Sequence, residues 1–110
     1  MNPIIEHIQI TVKDMKVAEN FYDRFLSILG FAITSPRQAF KNDRINRRKP
    51  GSLHHLAFKA DSRDEVDKAY FELKKIGATI VSEPKIYPEY SKNYYALYFK
   101  DNENIKYEIV

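Results

Sequence analysis

The chain is predicted to fold as an α+β domain built from two unequal copies of one β-α-β unit, and two observations carry that reading. His7-Ile-Gln-Ile-Thr-Val and His55-Leu-Ala-Phe-Lys-Ala each open a segment that closes on a glycine, at Leu29-Gly30-Phe31-Ala32-Ile33 and at Ile76-Gly77-Ala78-Thr79-Ile80. The offset between the histidines and the offset between the glycines agree to within one residue, so the copies stay in register through a strand, a helix and the start of another strand. Two copies of one supersecondary unit usually pack about a pseudo-twofold axis. That packing would bring the strand-initial histidines together.

Taken in order, residues 5–12 alternate apolar and polar side chains from Ile8 onward, the pattern of a half-buried strand. Asp14 is placed as the N-cap of a helix whose apolar face is Val17, Ala18, Phe21, Phe25, Ile28 and Leu29, and Gly30 stands where a left-handed residue closes a helix. Only Phe31–Ile33 reads as a strand before Leu53, because that stretch is taken up by Pro36, a basic run and Pro50-Gly51. The second copy opens at His55 and continues into the capping box Ser62-Arg-Asp-Glu65, with Val66, Ala69, Tyr70, Leu73 and Ile76 as the buried face and Gly77 as the stop. There follow a short strand at 78–81, a Pro- and Tyr-rich loop over 83–92, a strand at 94–99, a turn at 101–104 and a last strand at 105–110. The second copy is thus β-α-β-β-β. The first lacks about two strands, giving one domain over 1–110 with module one at about 4–50 and module two at about 51–110.

A short sheet leaves an edge open, and open edges pair with other chains. A homodimer is therefore expected, unless the basic segment folds over the edge instead. Composition narrows the chemistry further. The chain has 110 residues, 44% apolar and 30% charged, which suits one small globular domain. No apolar run approaches a membrane span and the N-terminus lacks a signal-peptide layout, so no membrane partner and a cytoplasmic location are expected. Without cysteine there is no disulfide and no thiolate ligand, and a metal would be held by nitrogen and oxygen. The net charge of +3 is concentrated in Arg37, Lys41, Arg44, Arg47, Arg48 and Lys49. Such a run can attract nucleic acid, a phosphate or carboxylate substrate, or an acidic partner surface, but only Phe40 interrupts it with a ring, so a solvated loop is favoured over a nucleic-acid site.

These segments resemble the vicinal-oxygen-chelate superfamily, which includes glyoxalase I, fosfomycin and bleomycin resistance proteins and extradiol dioxygenases. The resemblance is carried by His7-Ile-Gln-Ile-Thr-Val-Lys-Asp with Phe21-Tyr22 and Leu29-Gly30, by Gly51-Ser-Leu-His-His-Leu-Ala-Phe58, by Ile76-Gly-Ala78, and by Phe99-Lys-Asp-Asn-Glu-Asn-Ile-Lys-Tyr-Glu-Ile109. It spans the chain apart from about 35–50, and its order and spacing are more specific than any single motif. It implies paired βαβββ modules in a curved mixed sheet that cups a divalent metal, with ligands on the first and last strands of each module. Position by position this puts His7 and His55 at the first strands and Glu108 at the last strand of module two. The last strand of module one has no counterpart.

Two imidazoles and a carboxylate suit zinc, nickel or iron, and an open face would admit a substrate oxygen. In the family such a metal acts as a Lewis acid. His54 is expected to point away from His55, and Glu108 to share a face with Lys106 and not Ile109. Tyr87, Tyr90, Tyr94, Tyr95, Tyr98 and Tyr107 form a cluster that could line a pocket or simply fit pleated strands. In the resembling family the loop 84–95 borders the pocket, which makes Tyr90 and Tyr95 the substrate-facing candidates. The expected function is that of a metal-dependent protein of the glyoxalase and dioxygenase group acting on a small oxygen-containing substrate, as a lyase, isomerase or dioxygenase. The alternatives are a small-molecule sequestering protein of the bleomycin-resistance type and a degenerate member that binds a partner. No catalytic base is named, because the absent fourth ligand often fills that role.

Overall fold

Helix α1, Met15–Ile28, begins where Asp14 accepts a hydrogen bond from the Val17 amide at 3.1 Å. It ends on Gly30 at φ 87°, with the Gly30 amide bonded to Ser27 O at 3.0 Å and the Phe31 amide to Leu26 O at 2.9 Å. Helix α2, Arg63–Lys75, ends in the same way on Gly77 at φ 81°, through Gly77 N to Lys74 O at 3.2 Å and Ala78 N to Leu73 O at 3.0 Å. Both are Schellman closures, in which a left-handed glycine lets two amides satisfy orphan carbonyls. The repeat seen in the sequence is therefore a repeat of helix ends. The α2 start is the predicted capping box in altered form. Ser62 Oγ accepts from the Glu65 amide at 3.2 Å, but Glu65 returns to the Asp61 amide at 2.7 Å instead of the cap residue's own.

The computed structural model describes Ile8, Ile10, residues 12–32 and residues 53–110. His7, the basic run 37–49 and most of the first module's strand at 5–12 lie outside them. Of the strand expected at 31–33, Phe31 and Ala32 are unpaired coil among the described residues. The strands are β1 (Leu56–Phe58), β2 (Thr79–Ile86), β3 (Tyr95–Lys100) and β4 (Lys106–Ile109). They form one mixed sheet in the order β1-β4-β3-β2, with β1 parallel to β4 and the other pairs antiparallel. With two helices on one face this is the predicted α+β class.

The main correction to the sequence reading is β2, which runs through Glu83 and Pro84 instead of stopping at Val81. Proline cannot donate to a ladder, but β2 is at the edge of the sheet that the described residues form, and its pairing with β3 shifts register between Ile80 and Lys85. The irregular edge accommodates what a central strand would reject.

Side chains alternate across β3 and β4. Leu97, Phe99, Tyr107 and Ile109 face the helices and pack with Phe21, Phe25, Val66, Ala69 and Leu73. Phe25 is completely buried, its ring 5.1 Å from those of both Phe99 and Tyr107. Burying such a ring contributes about 1.5–3 kcal/mol. A polar tie supplements this packing. Tyr22 donates to the buried Asp101 at 2.5 Å and lies 2.8 Å from the Tyr107 hydroxyl, while the other Asp101 oxygen accepts from the Glu103 and Ile105 amides. That carboxylate organises the β3–β4 turn, in which Asn104 takes φ 66°, and fastens α1 to it. Burial above all, then the bond to Asp101, holds the Tyr22 hydroxyl far above its ordinary pKa.

Candidate functional site

The sheet face away from the helices carries Ala96, Tyr98 and Glu108, joined by Tyr87. Register explains why histidine and glutamate meet there. Parallel pairing sets Ala57 opposite Glu108, and His55, just ahead of β1, is thereby carried to the Glu108 side chain. His55 Nε2 lies 3.0 Å from Glu108 Oε2, although the two residues are more than fifty apart in sequence. Glu108 is only 2% exposed. A buried carboxylate needs partners, and its other oxygen accepts a short hydrogen bond from the Tyr94 hydroxyl. The bond to Glu108 pushes the Tyr94 pKa up to about 12, with burial adding to it. For Tyr98, burial comes first and the bond to Glu108 second, and both raise it.

In front of this cluster lies a cleft of about 380 Å³ lined by His54, His55, Val81, Ser82, Lys85, Tyr87, Tyr90, Tyr98 and Lys106. Its aromatic wall is braced internally. Tyr87 stacks on Tyr90 with ring centroids 5.8 Å apart and meets Tyr98 edge-on at 5.5 Å, and its hydroxyl is 2.5 Å from Ser82 Oγ. His55 stands edge-on to Tyr98 at 5.8 Å.

Of the residues expected at the site, His55 and Glu108 come together, Tyr90 lines the cleft, and His7 lies outside the described residues. Tyr95 does not belong to the cleft. It faces α2, where its hydroxyl donates to Asp67 at 2.6 Å and Arg63 sits over its ring at 5.2 Å. Alternation is the reason, since Tyr95 shares parity with the core residues Leu97 and Phe99. His54 also departs from its expected place. It lies on the cleft side, its Nδ1 2.7 Å from His55 Nδ1, because residues 53–55 precede β1 and are not bound by strand alternation. Sequence reasoning counted Tyr94 and Tyr98 in a cluster that could line a pocket without choosing them as site residues, and missed Ser82, Lys85 and Lys106 as lining groups. Tyr98 could have been found from its parity with Ala96 once β3 and β4 were aligned.

Imidazole and carboxylate are the right kind of donors for a divalent ion of borderline character. Among the described residues, however, no three His, Asp or Glu side chains converge on one point. The pair His55–Glu108 supplies two donors, and a complete protein-held site needs at least one more.

The sequence profile of the Glyoxalase/Bleomycin resistance protein/Dioxygenase superfamily matches residues 27–109. The chain belongs to this superfamily. Among superfamily-like solved structures, a candidate glyoxalase from Bacillus halodurans is 27% identical, with TM-score 0.69 over 97% of this chain and 94% of that one. A fosfomycin resistance protein from Listeria monocytogenes shares the fold at 18% identity, with TM-score 0.68 over 99% and 93% of the two chains. The uncharacterized protein YqjT of Bacillus subtilis is 25% identical over 125 residues, 96% of this chain and 97% of its own. The superfamily profile thus runs through α2, the whole described sheet and Glu108.

Proposed function

We propose that this superfamily member binds a small oxygen-containing molecule in the tyrosine-walled cleft, and that His55 and Glu108 are two ligands of a divalent-metal site to which His7 contributes the third. The observation that carries the reading is the convergence of His55 and Glu108 at 3.0 Å behind the cleft, from two strands distant in sequence. When bound, zinc, nickel or ferrous iron would supply Lewis-acid polarisation of a substrate oxygen. The chain's own groups do the rest. Tyr94 fixes the orientation of the Glu108 carboxylate, Tyr98 and Tyr90 wall the ligand in, and the apolar side of Val81 limits the entry of water. Self-association through a sheet edge that is open among the described residues and a cytoplasmic place of action belong to the same reading. Among the described residues no helix is long and apolar enough to cross a membrane.

The test is metal content after stripping with a chelator and reconstitution with zinc, nickel or iron(II). One ion per chain in the native protein, lost in His55→Ala and in His7→Ala, supports the site. A trace unaffected by either substitution overturns it. A second reading, binding without metal, is favoured by the way Tyr94 and His55 already occupy both oxygens of Glu108. It requires ligand binding that is unchanged by chelator.

A further inference from the structure

We infer that the cleft selects a planar aromatic carboxylate, its ring lying against Tyr87 and Tyr98 and its negative charge held by Lys85 or Lys106; this rests on the reading that the cleft takes a small molecule. Two lysines line the cleft, and the nearby carboxylate of Glu108 is buried and turned to Tyr94 and His55, so the side chains that face a ligand are cationic or neutral. Each ammonium is held over an aromatic face. Lys85 Nζ is 5.0 Å from the Tyr87 centroid and Lys106 Nζ is 4.8 Å from that of Tyr98. A cation–π contact restrains a lysine while leaving N–H groups to donate.

Register sets where these charges stand. Lys85 is paired with Ala96 and Lys106 with Lys100, at opposite ends of β3, with Tyr98 midway between them. Four residues of strand correspond to about 13 Å. The lysines therefore bracket an aromatic floor from two ends. A flat ring with a carboxylate at its rim meets the floor by stacking and one end by charge, whereas an aliphatic anion forgoes the stacking and a neutral ring forgoes the charge.

The test uses benzoate, its neutral isostere benzamide, and propionate, titrated calorimetrically into the chain in excess chelator so that no metal contact contributes. Benzoate is expected to bind more tightly than either comparison compound. Lys85→Gln with Lys106→Gln together should weaken benzoate by about fivefold while leaving benzamide unchanged, since the one partly solvated ion pair that either lysine can make is worth about that. Benzamide binding as tightly as benzoate would overturn the charge selection while leaving the cleft a small-molecule site. Propionate matching benzoate would overturn the aromatic part. Binding of none of the three would overturn the inference as a whole, and metal content measured on the same protein reports on the metal site separately.

Discussion

Replacing Glu108 by glutamine and by leucine separates what the carboxylate does for the fold from what it does for the site. The side chain is 2% exposed and accepts from Tyr94 on one oxygen while facing His55 on the other. Leucine fills much of the same volume but takes the Glu108 acceptor from the hydroxyl of Tyr98, which is 8% exposed. An unmade hydrogen bond at a buried donor costs about 1–3 kcal/mol. Tyr94 is only half-buried, so water replaces most of what it loses. Apolar burial of the leucine returns about 1 kcal/mol. With the hydrogen bond that His55 forfeits included, the net loss is about 2 kcal/mol for leucine. Glutamine keeps the shape and one acceptor oxygen, and a tyrosine hydroxyl can turn to accept from its amide, so the loss is about 1 kcal/mol. At this chain length each kcal/mol corresponds to about 4 °C in midpoint. Urea unfolding followed by circular dichroism is expected to rank wild type above Glu108→Gln above Glu108→Leu. A leucine variant as stable as wild type would show that the carboxylate is a burden the fold carries and not a bonded part of the cleft floor.

Phe25→Ala should cost about 3–5 kcal/mol in urea unfolding, since it opens a cavity where Phe99, Tyr107 and Phe58 meet the ring. Ser62→Ala removes the α2 N-cap and should lower stability by about 1 kcal/mol, whereas Ser62→Asp should restore it. Stability should fall at alkaline pH. The hydroxyls of Tyr22, Tyr94, Tyr98 and Tyr107 hold their protons more tightly folded than unfolded, so what they contribute is intact below the unfolded tyrosine pKa of about 10. It is lost as pH rises toward the folded values, about 12 for Tyr94. The urea midpoint should therefore drop between about pH 10 and pH 12, with tyrosinate absorbance appearing together with unfolding, and a flat profile would contradict the proton linkage.

The helices are legible in the sequence because their signals are local. Asp14, Ser62, Glu65, Gly30 and Gly77 each act within one turn, and the structure uses every one of them. The meeting of His55 with Glu108 is legible only through the family resemblance, because it depends on β1 lying parallel to β4, a non-local pairing with no marker in either segment. Pro84 hides half of β2, since a proline looks like a strand end unless the strand is known to be at an edge. Tyr95 is near Tyr90 in sequence, yet parity with Leu97 and Phe99 decides its face. Lys85 and Lys106 look like ordinary surface lysines until the fold sets each above a ring.

Strand β1 is three residues long and among the described residues pairs on one side only, with its end tied by the Val110 amide to Phe58 O at 2.9 Å and the Ala60 amide to Val110 O at 2.6 Å. That short clasp is what carries His55 to Glu108. Fraying of so short an edge parts the two side chains and lifts Phe58 from the Phe25 ring while the rest of that core stays packed, so the assembled site is one state of a local opening equilibrium. Apparent affinity for anything that bridges His55 and Glu108 is scaled by the closed fraction, and substitutions along β1 that touch no ligand will change it. In return, an occupant bridging the pair latches the edge, and its binding can be read at a distance as slowed hydrogen exchange at Ala60 and Val110.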